Sequence, residues 1–600
     1  MPTGGAAEAG LRPEGPTIRL TPGLQCDDWL GLRPKIRLHG VECSRLGNLQ
    51  RRNAIFGHPR ESMMPRSELM ESIVKYTVKR RSFIRSAISG LAALGLMPEK
   101  LFGISGERSS SASKYQPRFH FVVPDSKLGP FDPNGTMYWK GRHHLFYIFL
   151  VEDDRFPDKM IAPFGHASST DLVNWTIHPW ALIPTLGGPD GLGKCWSGDG
   201  FDLDGTPAIA YWGDRGQTCL ATSNDDLLVH WKKHPANPVI LTQPVEGQNQ
   251  QGDHAPYVWK ENDSWYCIRG GYLENEGDTV FLFKSSDLIH WEYLHPLYHP
   301  DRRWTQAYED MACPEFFRLG SKYVVIGLSH PCGCHYYIGR WEKEYFIPEH
   351  HGRMNWPGGR YGAPESYTDD KGRRILWAWA ALGSNGFQEQ GVMSIPRVLT
   401  LGEDGKTLLM RPVEELKALR GKCFRKNGIK LSAGKEVSFD ELQGNSLEIE
   451  AEIDLGSATE VELQVLRSPD GQEQTTIRFD FVRKKLAIDV SKSSLVQPKN
   501  FYQTFCLYGD RVSNAGIKDL PVLIQEAPFE LKPGENLHLR VFVDRCMVEV
   551  FANGRQALCM QVFPTKEESI GILLNARNGN ARIEKLESWE MSSFSMNKSH

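Results

Sequence analysis

The chain lacks the surplus of positive charge that would hold a nucleic-acid backbone or an anionic bilayer: 70 Lys and Arg stand against 73 Asp and Glu, for a net charge of −3. Partners of those two kinds are therefore not expected. Cysteine is sparse and scattered, 12 in 600 residues, with neither the dense spacing of a disulfide scaffold nor paired CxxC sites for zinc. Cys332 and Cys334, followed by His335, are the nearest grouping, and small buried thiols in a strand or loop explain them better than a metal. No metal or cofactor is expected. Long helical periodicity is missing from Pro117 onward, and the apolar run Ser86 to Met97 is too short to cross a membrane as a helix. What remains is an ordinary globular composition, 40% hydrophobic and 24% charged, in a chain long enough for two or three domains.

One segment reads as targeting. Lys79-Arg80-Arg81-Ser82-Phe83-Ile84-Arg85 and the small, apolar run Ser86 to Met97 look like a bacterial twin-arginine signal. Residues 1–69 ahead of it are rich in Gly, Pro and Arg, and read as a non-native or disordered extension. Translation is expected to start at Met70 or Met64, with 70–114 as signal and Ser-rich linker. An exported protein, periplasmic or extracellular, that engages the twin-arginine export machinery follows from this reading. An ordinary basic amphipathic helix after a disordered tail is the plainer alternative.

From Pro117 onward, short aromatic and β-branched runs alternate with Gly, Asp and Asn, the pattern of many antiparallel strands. A repeat runs through them: Ser169 to Trp175, Ser223 to Trp231 with Asp226-Leu227, and Ser286 to Trp291. The tryptophans fall about 55 to 60 positions apart, near the length of a four-stranded propeller blade. The Asp and Trp of the repeat are expected to close a turn and fill a gap between sheets. There is room for about five blades in 115–410. Residues 411–430 read as a linker containing a short helix, and 431–595 as a β-sandwich, because Leu447 to Ile453 alternates strictly and His538 to Val543 nearly so.

Gly129-Pro130-Phe131-Asp132-Pro133-Asn134-Gly135 sets a carboxylate in a rigid turn at the start of a strand. It is followed in order by Leu145-Phe146-Tyr147, Phe164 to Ser169, Cys195-Trp196-Ser197-Gly198, Ala312-Cys313-Pro314, Gly372 to Trp379 and, far downstream, Val541 to Val550-Phe551. As an ordered set, from about Phe121 to Trp589, these resemble glycoside hydrolase family 32, the invertases, levanases and inulinases. The resemblance implies an all-β chain, a five-bladed β-propeller followed by a β-sandwich. It also implies retaining hydrolysis of β-fructofuranosides in an axial funnel. That chemistry needs two carboxyl groups roughly 5 to 5.5 Å apart, one attacking the fructosyl C2 and the other protonating the leaving group.

By the resemblance, Asp132 matches the nucleophile, while Trp196 and Ser197 match a sugar-contacting segment; Trp377 lies in a comparable late-blade motif. Three positions depart from the family. His254-Ala255-Pro256 replaces Arg-Asp-Pro, Ala312-Cys313-Pro314 replaces Glu-Cys-Pro, and Ile148 replaces a glutamine. Each lost carboxylate has another just upstream. Asp253 shares a strand face with Ala255 and could reach the same place through a bulge. Glu309 has the reach and residue type of an acid/base, whereas alternation favours Asp310, which shares a face with Ala312. The expected roles are Asp132 nucleophile, Glu309 acid/base, Asp253 transition-state stabiliser, and Trp196, Ser197, Asp310 and Trp377 substrate contacts. The expected function is a glycosidase acting on sucrose or a fructan such as levan or inulin. The alternatives are a non-catalytic carbohydrate-binding protein on the same frame, or an arabinofuranoside-cleaving propeller hydrolase.

Overall fold

The computed structural model describes residues 114–123, 129–157, 159–241, 248–249, 255–381, 391–496 and 522–599. The export segment and Asp253 lie outside them. Strands dominate throughout. Between 137 and 412 the chain forms five successive antiparallel sheets of four principal strands, each starting at its innermost strand: Met137–Trp139, Trp196–Leu203, Pro256–Glu261, Ala312–Leu319 and Gly362–Thr368. The described residues thus form a β-propeller whose inner strands line a common axis.

The repeated Asp and Trp serve the turns between third and fourth strands. Asp171 accepts hydrogen bonds from the Val173 and Asn174 amides, and Trp175 Nε1 donates to the Leu172 carbonyl at 3.1 Å. Asp225 and Asp287 accept in the same way, and Trp231 and Trp291 donate to Leu228 and Leu288, both at 2.7 Å. In the second copy the capping carboxylate is Asp225 and not Asp226; in the third the turn opens at Ser285 and not Ser286. Leu172, Leu228 and Leu288 adopt φ of 62°, 55° and 66°, a costly conformation for a branched side chain. All three are buried, so apolar packing and the surrounding hydrogen bonds hold them there.

The short helix expected after Arg411 is a 3-10 turn, Glu414–Leu419. The linker expected over 411–430 is shorter than that, because Arg420–Leu431 is already a strand of the sandwich. Two six-stranded sheets form that second domain. Leu447, Ile449, Ala451 and Ile453 of the alternating strand point into its core, while Glu448 on the opposite face is buried against Arg420 and Arg540. The last strand, Ser595–Lys598, returns to the propeller and pairs in parallel with Asn174–Leu182, lashing the two domains together.

The domains also share buried charge. The Asp544 carboxylate accepts the amides of Arg118, Phe119 and His120 at 2.8 to 3.0 Å and pairs with His120 Nδ1 at 2.9 Å. Glu549 meets His120 Nε2 at 3.3 Å and Arg397 at 2.6 Å.

Candidate active site

Three of the five inner strands open on a residue followed by proline, at Ala255-Pro256, Cys313-Pro314 and Ala363-Pro364; Asp132-Pro133 lies in the turn ahead of the first, and the second sheet has Ser197-Gly198. Proline brings no backbone donor, so these ends need no ladder partner and can terminate at a cavity. Bulges fall at this level in the second, fourth and fifth sheets, and Cys313 and Ala363 take φ of 43° and 47°. Bulging re-aims the first-row side chains toward the axis. A narrow cavity results, with Ser197, Ala255 and Cys313 in its first row and Asp199, Tyr257, Glu315 and Glu365 two residues deeper.

Asp132 is half-buried beside this cavity. Its backbone is tied to the first sheet by Ile148 N to Asp132 O, 3.1 Å, and by Asn134 N to Phe146 O, 2.9 Å. Ser197 Oγ donates to Asp132 Oδ2 at 2.7 Å, and Cys313 Sγ lies 3.9 Å from the same oxygen. A carboxylate so held is fixed in orientation by the hydroxyl. Trp196 is half-buried at the rim, 5.9 Å from Trp212, with Lys194 Nζ 4.8 Å above its ring. Ile148 is buried in an apolar cluster with Phe146 and Phe164.

The expected acid residues occupy a different setting. Glu309 is fully buried, and both oxygens accept from Arg353 at 2.8 Å, with the Gln306 amide on Oε1 at 2.9 Å. Asp310 is buried as well, accepting the His330 amide at 3.0 Å and lying 2.6 Å from His330 Nδ1. Neither belongs to the cavity wall. Ala312 packs into the core near Leu328 and Cys334; its neighbour Cys313 is the residue of that segment on the cavity. Cys334 donates to the Tyr361 carbonyl at 3.1 Å.

Trp377 does not contact the funnel. It is fully buried, edge-on to Trp175 at 5.6 Å, because Glu365, its partner across the sheet, is already below the first row. Two residues on, Trp379 is half-exposed and sits edge-on to Phe131 at 5.4 Å, next to Asp132. Trp379, and not Trp377, is therefore the tryptophan of this strand that lies near Asp132.

Sequence reasoning also missed the deeper carboxyls. Asp199 Oδ2 accepts the Val258 amide at 2.9 Å, Glu315 accepts the amide and hydroxyl of Ser366, and Glu365 Oε1 accepts the Thr136 amide at 3.0 Å. Each reaches from one sheet to the inner strand of the next. Arg374 approaches Glu315 at 3.4 Å and the Tyr257 hydroxyl at 3.3 Å. Burial pushes the Asp199 and Glu365 carboxyls well above the usual carboxylate range, with repulsion from neighbouring carboxylates adding to it, and pushes Glu315 upward against the opposing pull of Arg374 and Ser366. The readable signal was a carboxylate two residues after the inner-strand start, in Ser197-Gly198-Asp199, Cys313-Pro314-Glu315 and Ala363-Pro364-Glu365.

A carboxylate beside an axial cavity, framed by a hydroxyl and rim tryptophans, defines a carbohydrate-processing class of protein. The chain belongs to glycosyl hydrolases family 32: the N-terminal domain of that family matches residues 123–412 and its C-terminal domain residues 415–590. An insoluble β-fructofuranosidase isoenzyme of Arabidopsis thaliana is 27% identical over 80% of this chain and 90% of its own length. A fructan 6-exohydrolase of Beta vulgaris is 25% identical, over 81% and 88%. The crystal structure of fructan 1-exohydrolase IIa from Cichorium intybus superposes with a TM-score of 0.69 at 24% identity, covering 81% of this chain and 99% of that one. The propeller and sandwich are thus the family's frame.

Proposed function

We propose that this protein is a glycosidase of the β-fructofuranosidase type, hydrolysing β-fructofuranosidic bonds in sucrose or fructans with retention. The observation that carries the reading is the Asp132 carboxylate at the axial cavity, held by Ser197 at 2.7 Å. Asp132 attacks C2 of the fructosyl unit as the C2–O bond to the leaving group breaks, and the acid/base gives its proton to the departing oxygen. The same residue then takes a proton from water, which hydrolyses the ester and frees Asp132. Trp196, Trp379 and Ser197 are the sugar contacts of this reading.

Asp253 remains the proposed stabiliser of the transition state. Glu309 remains the proposed acid/base, and the reading then requires that the Arg353 bridge open when substrate binds; Asp310, held by His330, is the proposed polar contact beside it. Fructose release from sucrose, inulin and levan by the purified protein tests the activity, and its absence on all three would overturn it. Glu309→Ala tests the acid. Sucrose cleavage should collapse while a substrate with an activated leaving group still reacts, with azide restoring turnover. If Asp310→Ala behaves so instead, the role moves by one residue.

Export through the twin-arginine machinery is part of the same proposal and rests on Lys79 to Arg85. N-terminal sequencing of native protein should find nothing upstream of Met64, and intact residues from that stretch would refute the start assignment.

A further inference from the structure

The turn that carries Asp132 is anchored from three sides. The first sheet holds it through Ile148 and Phe146, the second through Gly135 N to Gly198 O at 3.1 Å and the Ser197 hydroxyl on Asp132, and the fifth through the Glu365 side chain on the Thr136 amide at 3.0 Å. The third anchor is a side chain that holds the backbone of the turn. Glu365 is 5% exposed, lies in the second row of the cavity, and its Oε2 has no hydrogen-bonding partner among the described residues. Asn134 Oδ1 and Thr136 Oγ1, on the strand it holds, are likewise buried without partners there. A carboxyl that spends one oxygen on a neighbouring strand and leaves the other at the cavity is an unusual use of a buried acid.

We propose that Glu365 is a positioning residue for the nucleophile, fixing the Asp132 turn from below through the Thr136 amide. The proposal rests on the reading of Asp132 as nucleophile. The titratable groups that share the cavity with Glu365 are the carboxyls of Asp199 and Glu315, the Tyr257 hydroxyl and the Cys313 thiol, with the Arg374 guanidinium behind them on Tyr257. Arg374 lies on Glu315 and Tyr257, and no ion pair to Glu365 is found among the described residues. Burial keeps the Glu365 carboxyl protonated well above the usual range. A neutral carboxyl accepts the Thr136 amide through one oxygen and adds no negative charge beneath Asp132. Ionising it places a second negative charge below the nucleophile while the Thr136 amide still donates to it, so the alkaline side of the activity profile reads that charge and not the loss of the anchor.

Glutamine reproduces the neutral carboxyl; alanine leaves the Thr136 amide unsatisfied. Misplacing a catalytic group by about an ångström costs about 100-fold in rate. Glu365→Ala should therefore lose kcat by about 100-fold with KM little changed. Glu365→Gln should retain turnover and keep it to higher pH than the wild type. Hydrogen exchange of a peptide spanning 131–139 should quicken in Glu365→Ala and match the wild type in Glu365→Gln. Unchanged kcat and exchange in Glu365→Ala, or a Glu365→Gln as impaired as alanine, would overturn the proposal. If Glu365→Ala does not fold, the glutamine variant decides alone through its pH profile and exchange. If the wild type releases no fructose, the functional reading fails by itself, and the exchange comparison still supports or overturns the anchoring.

Discussion

The propeller axis and the junction between propeller and sandwich both bury carboxylates, and they treat them in opposite ways. At the junction every acid has a cation: Glu549 lies on Arg397 and His120, Asp544 on His120 and three amides. Burial works against ionised Glu549, but Arg397 and His120 outweigh it and hold its carboxyl below the usual range. On the axis, Arg374 pairs with Glu315 alone of the three acids, and burial drives Asp199, Glu315 and Glu365 all upward. Compensated charge fastens domains; uncompensated charge is costly to a fold and is retained where a cavity and a reacting group lie above it. The contrast separates structural from functional acids better than burial does, since members of both sets are nearly inaccessible.

The sharpest way to break the contrast is at Asp132. Asp132→Asn should lower fructose release by several orders of magnitude with unchanged thermal stability, because an amide cannot form the fructosyl ester. A variant that turned over at near-normal rate would dissolve the distinction between the axis and the junction altogether.

The junction should respond in the opposite manner. Glu549→Ala strands the Arg397 guanidinium, buried over the Tyr361 ring at 4.1 Å, and should cost about 3 to 5 kcal/mol of stability in denaturant titration. Whatever activity survives at low temperature should show an unaltered KM. A raised KM without a loss of stability would mean that this acid serves the site.

The fold was legible where local chemistry repeats: strand alternation, the Asp and Trp turns, and the change of pattern after Arg411 follow from short-range rules. The Asp132 turn at the cavity was legible because Pro and Asn surround the carboxylate. Register was harder. Trp377 and Trp379 lie on the same face of one strand by period, and only the depth at which that strand meets the axis makes one core and the other rim. The same limit affected Glu309 and Asp310. Alternation was carried upstream of Ala312 as if the strand were regular, but a bulge between Ala312 and Glu315 turns Cys313 to the cavity, and Arg353 and His330, distant in sequence, take up the two acids. Long-range ion pairs leave no trace in local spacing.

The smallest effect, and the one that reads the junction most directly, is its pH dependence. Burial lowers the His120 imidazolium, but hydrogen bonds and charge from Asp544 and Glu549 more than offset it and raise its pKa from 6.5 to about 9. A group raised on folding adds stability in full below its unfolded value, and that stability disappears as pH climbs from 6.5 through about 9. The histidines of the first sheet run the other way. Burial lowers His143 and His178 to about 4 and His144 to about 3, so their contribution stands above 6.5 and is lost on acidification. Stability on the alkaline side therefore isolates His120 from the rest. The margin by which wild type outlasts His120→Gln in thermal melts should be widest near pH 6 and shrink by pH 9.5. Each tenfold change in the proton affinity of a group is worth about 1.4 kcal/mol, so the margin should shrink by about 3 kcal/mol. A margin that held constant across that range would mean that His120 is neutral in the folded protein, and that the junction, like the axis, tolerates buried carboxylates without enough cations.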